Sequence, residues 1–195
     1  MKLRGIQEGA GVVHKLKLKF FELSLRVPPS DVVRVLFYRS AFFGAPMRAY
    51  FHNLLRGRSE WTVGERELFA AFASHCNECT FCTSAHKAIA ERVLGEEVVD
   101  AVLKDYKTAP VNEPLRAVLG FLEKMARDPN GVAPEDVRSV LARGVSVEAL
   151  RNAIQISEGF AIINRVADAL GFEVPPASVF ANEAEFLLKR GYKPM

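Results

Sequence analysis

The chain of 195 residues has the length of one globular domain, with room for an N-terminal extension. Hydrophobic residues make up 49% and charged residues 25%, with a formal net charge of +3, and this balance excludes an intrinsically disordered chain. The absence of a long Lys/Arg block gives no sign of a nucleic-acid partner, and no apolar run reaches the roughly 20 residues that span a bilayer. Because Lys15, Lys17 and Lys19 interrupt the one apolar stretch near the N-terminus, we expect no signal peptide, no membrane partner and a cytoplasmic protein.

The N-terminal 27 residues differ from the rest of the chain in their hydrophobic period. From Lys15 to Phe20 polar and apolar residues alternate, which is the period of a strand. One strand cannot form a sheet, so residues 11–27 predict an extended arm. We therefore divide the chain into an N-terminal arm, residues 1–27, and a single helical domain, residues 28–195.

Helix signals dominate the remaining sequence. Thr62 and Glu65 fit a capping box, which begins a buried helix that continues to about Ser74. The next helix is expected to carry the cysteines and to end at Gly95. Caps and breakers start one helix at Ser30 or Asp31 and place the others near residues 42–55, 96–106, 114–127, 134–142, 146–170 and 179–190. Since no alternating strands are present, the predicted fold class is all-α.

The chemistry is concentrated in one short segment with three cysteines, Cys76, Cys79 and Cys82, and a histidine, His86. An odd, clustered set of cysteines is not the disulfide framework of a secreted domain. Cys79 and Cys82 form a C-x-x-C pair, whose sulfurs share one face of a helix, and His86 follows four residues later on the same face. An imidazole there can take a thiol proton, and only the thiolate is a competent nucleophile.

A carboxylate that could orient this histidine lies upstream. Glu67 precedes Cys79 by 12 residues on the preceding predicted helix, beside the small residues Ala70 and Ala71. Small neighbours allow a second helix to approach closely. We expect Glu67 to hydrogen-bond His86, directly or through water, and to receive the proton that Cys82 releases.

Other interpretations of the same residues remain open. Buried cysteines can be inert, since a free thiol packs like a small apolar group. Cys76, Cys79, Cys82 and His86 also look like a Cys₃His zinc set, but on a continuous helix the first and last would be roughly 15 Å apart along the axis. Only a non-helical stretch around residues 77–78 would bring them together. We expect no metal and no cofactor, and we expect Cys76 to be a packed, inert thiol.

A second polar cluster lies in the long late helix, from Asn164 to Asp168. Arg165 and Asp168 are three residues apart and can pair, and apolar residues flank the cluster. This pattern favours a helix-packing network over a part of the active site.

The Glu67 and C-x-x-C-x-x-x-H elements together resemble the carboxymuconolactone decarboxylase superfamily, and within it the AhpD-like alkylhydroperoxidases and the related "peroxidase-related" proteins. The similarity extends from about Pro28 to Pro175, and Arg56-Gly57, Pro129-Asn130-Gly131 and the segment 164–171 support it. It implies an all-helical, AhpD-like bundle that assembles into trimers, hexamers or similar homo-oligomers. It also implies reduction of organic hydroperoxides by the C-x-x-C pair.

Carried over to this chain, the resemblance assigns a role to each of four residues. Cys82 would attack the peroxide and become a sulfenic acid, and Cys79 would condense with it to a disulfide. His86 and Glu67 would move the proton, and an external dithiol would reduce the pair. The chain departs from the best-known AhpD proteins at Phe81, where they have a histidine.

Two other functions fit the same sequence. A lactone decarboxylase-like enzyme would use His86 and Glu67 with the cysteines as spectators, although such relatives generally lack the C-x-x-C pair. A zinc-stabilised or redox-sensing module would have no enzymatic activity.

Overall fold

The computed structural model describes residues 2, 4–7, 11–26 and 28–193. Within these ranges the chain forms eleven α-helices, one π-helical turn at Ser40–Gly44, one 3₁₀ turn at Pro129–Gly131 and no strand. This confirms the all-α prediction. None of the described helices combines the length and the apolar content that a membrane crossing requires.

The helices follow one another with short connections. In chain order they are α1 (Arg4–Gln7), α2 (Val12–Leu25), α3 (Asp31–Tyr38), α4 (Ala45–Arg56), α5 (Val63–Cys76), α6 (Thr80–Leu94), α7 (Glu96–Asp105), α8 (Glu113–Arg127), α9 (Pro134–Leu141), α10 (Val147–Leu170) and α11 (Ala177–Arg190). Most helix boundaries lie within three residues of the predicted ones, because the predicted capping residues form their hydrogen bonds in the structure. Thr62 and Glu65 form the reciprocal capping box of α5, Ser146 caps α10, and Gly171 ends α10 with φ 62°.

The extended arm predicted for residues 11–27 is wrong, because Val12–Leu25 forms helix α2. His14, Leu18 and Phe21, spaced by four and three residues, are its buried side chains, and the last two pack with Phe37 of α3. Leu16 and Phe20 belong to the same alternating pattern but are exposed. A helical period therefore decides which apolar residues reach the interior.

The division into an arm and a domain stays a prediction. Both predicted segments include residues that lie outside the described ranges, namely 1, 3, 8–10 and 27 in the arm and 194–195 in the domain.

The α5–α6 pair lies at the centre of the bundle. The two helices pack against each other along their length, α10 and α8 cover α5, and α11 covers α6. Leu68, Phe69 and Ala70 of α5 are fully buried, as are Leu119 of α8 and Ile156 of α10. Side chains that face inward from α5 and α6 are consequently held in a rigid, mostly dry environment.

Candidate active site

The three cysteines are distributed around the turn between α5 and α6. Cys76 is the last residue of α5, Cys79 is the N-cap of α6, and Cys82 lies in the first turn of α6. The turn requires a left-handed backbone at Glu78, with φ 60°. The prediction of one helix that carries all three cysteines is therefore wrong for Cys76, because the chain reverses direction after it to pack α6 on α5. Cys79 lies at the N-cap of α6, and Cys82 is the one cysteine inside that helix.

Cys79 and Cys82 form an interacting pair of buried thiols. The Cys82 thiol and, more weakly, its backbone N–H hydrogen-bond the Cys79 sulfur and lower the pKa of Cys79, although burial opposes this shift. The same interaction, together with burial, raises the pKa of Cys82. A sulfur at a helix N-cap is also favoured as an anion by the helix dipole. Cys79 is thus the first of the two thiols to ionise, and Cys82 then holds the remaining proton.

His86 contacts Glu67 directly. The Nδ1 atom of His86 on α6 lies 2.6 Å from Oε2 of Glu67 on α5. An ionised carboxylate can only accept, so Nδ1 carries the proton and donates it, which leaves Nε2 as the acceptor on the opposite side of the ring. The sequence predicted this contact from the small residues beside Glu67, which let a second helix approach closely, and the structure shows it as a direct hydrogen bond.

Glu67 is fully buried and has three partners. Burial alone would raise its pKa, but the hydrogen bonds and charges of His86 and Arg56 outweigh burial and hold the pKa of Glu67 below its ordinary value. Arg56 Nη1 donates to Oε1 at 2.6 Å, and the Tyr192 hydroxyl lies 2.9 Å from the same oxygen. Burial and the charge of Glu67 raise the pKa of Tyr192, so the hydroxyl stays protonated and donates.

Sequence reasoning found Arg56 only as a supporting position and missed Tyr192 altogether. Tyr192 follows α11, where Gly191, with φ 64°, turns the chain back over α4 and α6. A Cβ atom on Gly191 would lie 2.7 Å from the His52 ring. The glycine before an aromatic residue was the one available signal for this close approach.

An apolar cavity of about 650 Å³ opens beside these residues. Cys82 and His86 line the cavity. Cys79 and Glu67 do not line it and are fully buried, Cys79 behind Cys82 and Glu67 behind His86. Phenylalanines form much of the wall, and Phe160 packs edge-on against His86 with 4.5 Å between ring centres. Phe81 packs against Phe172 and Phe180 and is part of the hydrophobic wall.

The polar cluster of α10 contacts the thiol pair as well as neighbouring helices. Asn164 donates to Ser74 Oγ and accepts from Asn77 Nδ2, both at 3.0 Å, and it also interacts with the Cys82 thiol. Asp168 interacts with Cys79. Arg165 is exposed and forms no ion pair with Asp168. The cluster therefore supports both packing and the environment of the thiols.

Cys76 is separate from the pair in its chemistry. Burial raises its pKa to about 11, which keeps the thiol protonated and unreactive at neutral pH. Within the described ranges, the one group of three ligand-type side chains close enough to share an ion is Glu91, Glu96 and Asp100. Lys87 Nζ already lies 2.6 Å from Asp100 in that group. The structure does not bring the three cysteines and His86 together as a zinc site.

Comparisons with known proteins identify the fold. No protein-family model matches the chain, and no curated protein sequence is significantly similar to it. The chain is similar to the crystal structure of an uncharacterised peroxidase-related protein from Silicibacter sp. TM1040, with a TM-score of 0.73, 21% identity, and coverage of 83% of this chain and 84% of that one.

Two further structures extend the comparison. An alkylhydroperoxidase AhpD core protein from Ralstonia eutropha JMP134 gives a TM-score of 0.72 at 24% identity over 86% of this chain and 87% of that one. The debrominase Bmp8, in complex with 2,3,4-tribromopyrrole, gives 0.67 at 19% identity over 86% and 88%. The fold is that of the AhpD-like proteins, as the motif resemblance implied. At these identities the likeness establishes the fold alone.

Proposed function

We propose that the protein is a thiol-dependent peroxidase that reduces organic hydroperoxides through Cys79 and Cys82, with His86 and Glu67 moving the proton. The observation that carries this proposal is the order of the four groups around one cavity. Cys82 and His86 line the cavity, while Cys79 lies behind Cys82 and Glu67 lies behind His86. A peroxide in the cavity would thus contact the Cys82 sulfur, which has Cys79 as its partner, and the His86 imidazole, which has Glu67 as its partner.

The first step oxidises Cys82. Cys82 is the less acidic thiol of the pair, but it is the one that lines the cavity, so its ionisation depends on a base. The Nε2 atom of His86 takes the Cys82 proton, because Nδ1 is already protonated and bonded to Glu67. The Cys82 sulfur attacks the outer peroxide oxygen, so an S–O bond forms and the O–O bond breaks. The leaving alkoxide takes the proton from His86 and departs as an alcohol, and Cys82 is left as a sulfenic acid. The negative charge of Glu67 stabilises the imidazolium that exists between these transfers.

The second step closes the disulfide. Cys79 gives up its proton, and its thiolate attacks the Cys82 sulfur, so an S–S bond forms and the S–O bond breaks. The hydroxide that leaves becomes water with the proton that Cys79 had given up. An external dithiol then reduces the disulfide by thiol–disulfide exchange and is itself oxidised.

A thiol count tests the proposal. Reduced wild-type protein has three free thiols, and we expect cumene hydroperoxide to remove two of them rapidly, with loss of two hydrogens in the intact mass. In Cys79→Ser a sulfenic acid on Cys82 should be trapped by dimedone, and Cys82→Ser should consume no peroxide. Cys76→Ser is the matched control and should behave as wild type. Three thiols that do not react would contradict the proposal.

Reductive debromination is a second candidate that the same site could perform. The similar fold of a debrominase and the phenylalanine wall of the cavity favour a flat aromatic substrate. Two thiols would become a disulfide while a C–Br bond is replaced by C–H and bromide is released. Bromide release from a tribromopyrrole by reduced protein, without peroxide consumption, would support this function over the first.

We also propose that protomers associate. Val12, Val13, Leu16, Phe20 and Leu23 project from one face of α2 and are each at least 62% exposed. An apolar face of this kind is costly to leave in water. Light scattering on the full chain should give a mass that is a multiple of 21.6 kDa, and a monomer at micromolar concentration would contradict this proposal.

A further inference from the structure

Arg48 is a buried cation whose guanidinium is not fully satisfied. It lies on α4, is 8% exposed and lines the cavity. Its Nε atom has no hydrogen-bond partner, and among the described residues no carboxylate lies within ion-pair distance of it. A buried charge without a partner is unfavourable, so such groups are rare in a folded interior.

A second buried arginine shows how this fold normally treats such a group. Arg66 on α5 is 5% exposed, and its guanidinium donates to the carbonyl oxygens of Thr62, Leu54 and Gly57. Arg48 instead contacts the ring of Phe37, with Cζ 5.4 Å from the ring centre. The ring holds the guanidinium in place without neutralising it. Of these two buried arginines, the one that lines the cavity, Arg48, is the one whose Nε atom lacks a hydrogen-bond partner.

A continuous aromatic surface connects Arg48 with the reaction centre. Phe51 lies one helical turn after Arg48, its ring centre is 5.1 Å from that of Phe160, and Phe160 packs against His86. A molecule lying along this surface would place one end near the guanidinium and the other near Cys82 and His86. Its middle would contact apolar rings.

We propose that the cavity binds a substrate with an apolar body and one carboxylate, and that Arg48 pairs with this carboxylate. As a deepening of the proposed function, which it presupposes, the substrate class is the hydroperoxides of apolar carboxylic acids. A guanidinium binds a carboxylate through two parallel N–H···O bonds, which suits an acid better than an alcohol or an ester. Glu183 is a second buried ionisable group on the cavity, and burial raises its pKa, which reduces the negative charge that would oppose such a ligand.

A binding experiment tests the anion site without using peroxidase activity. Isothermal titration of the full, reduced chain compares decanoate with 1-decanol and methyl decanoate. Wild type should bind decanoate at least tenfold more tightly than the two neutral probes. Arg48→Met should remove this difference, and Arg48→Lys should retain part of it. Equal binding of acid and alcohol by wild type would overturn the proposal, and this comparison holds even if Arg48→Met does not fold.

Lys189→Gln is the matched control. Lys189 also lines the cavity, but it is exposed and pairs with Glu185 at 2.6 Å. Its loss removes one positive charge from the same region and should leave the preference for decanoate unchanged. If Lys189→Gln reduces the preference as much as Arg48→Met does, the effect is a general charge effect and the assignment to Arg48 is wrong.

A kinetic experiment then separates this proposal from the peroxidase itself. For a fatty-acid hydroperoxide and its methyl ester, Arg48→Met should raise the ratio of the acid's KM to the ester's KM about tenfold. Reduction of both compounds by wild type with equal KM would leave the peroxidase standing and overturn the anion site. Preferential decanoate binding without reduction of cumene hydroperoxide would support the anion site and contradict the peroxidase.

Discussion

Glu67 and Arg48 are buried ionisable side chains on neighbouring helices, α5 and α4, but their surroundings differ sharply. Glu67 has partners on three elements, so its charge is stabilised before any ligand enters. Arg48 has an aromatic ring beside it and an Nε atom without a partner. A preorganised group is suited to proton transfer, because nothing must rearrange during the reaction. An unsatisfied one is suited to a ligand that supplies what is missing.

Removing the charge of the satisfied group should have the largest effect. In Glu67→Gln the amide keeps the shape but no longer stabilises the His86 imidazolium, so we expect kcat for cumene hydroperoxide to fall by about 100-fold or more. The pH profile of kcat should change as well. Glu65→Gln on the same helix is the control, because glutamine also fits a capping box and the variant should stay fully active. Unchanged kcat in Glu67→Gln would show that Glu67 is only structural.

Removing one of the three partners should have a smaller effect. Tyr192→Phe loses the hydrogen bond to Glu67 at 2.9 Å and should lower the free energy of unfolding by about 1.5–3 kcal/mol, the usual range for a bond to a charged group. The pKa of Glu67 is lowered in the fold, so its stabilisation is present above its ordinary pKa of 4.5 and is lost as the pH falls through the lowered value.

With one donor fewer, the pKa of Glu67 should lie closer to 4.5 in Tyr192→Phe, so the loss of stability on acidification should be smaller and should be complete at a higher pH. Urea unfolding between about pH 3 and pH 7 measures both effects, since linkage makes stability follow the shifted pKa. An identical pH dependence in wild type and variant would contradict the contribution of Tyr192 to the charge of Glu67.

Glu183 tests the effect of burying a carboxyl without the charged partners that Glu67 has. Burial raises its pKa, so the carboxyl destabilises the fold as the pH rises above 4.5 and through the raised value. Glu183→Gln cannot ionise, so its stability relative to wild type should rise as the pH increases from about 4 to 7. Thermal unfolding from about pH 4 to pH 8 should show the advantage growing with pH. The exposed Glu185→Gln should show no such growth, and a constant difference in Glu183→Gln would contradict the shift.

Cys76 should give the smallest effect on activity. Its pKa is raised to about 11, so it remains protonated while the pair reacts, and Cys76→Ala should reduce peroxide at the wild-type rate. The shift predicts a stability effect instead. As the pH rises above 9.0 the unfolded thiol ionises first, so wild type loses stability up to about pH 11. Cys76→Ala should lack this loss in denaturant titrations, and the same loss in both proteins would contradict the prediction.

The sequence predicted the fold where local signals are strong. The capping box of α5 and the Ser146 cap of α10 set boundaries that hold in the structure, because caps act within one helical turn. It failed at α2, where a short alternating pattern also fits a helix that buries one residue in three or four. It failed again after Cys76, because the turn at Glu78 is required by the packing of α6 on α5.

Prediction of the site also succeeded where the signal is local and failed where it depends on the assembled fold. The contact between Glu67 and His86 was predictable because the small residues beside Glu67 let a second helix approach closely. Tyr192 and Arg48 were not, since their importance comes from burial and from which groups surround them in the assembled bundle. No spacing in the sequence indicates that one buried arginine has carbonyl partners and another has none.

The bond between Tyr192 and Glu67 joins residues 125 positions apart in the chain. We expect this contact to form late in folding, after the helices with their local contacts, because a long loop must first be closed. A chain in which α5 and α6 are paired but α11 has not yet docked would have its cysteines without the finished proton relay. In a refolding experiment, helix content should therefore recover before peroxide reactivity does. The delay between recovery of helix content and recovery of peroxide reactivity would measure how long α11 takes to dock.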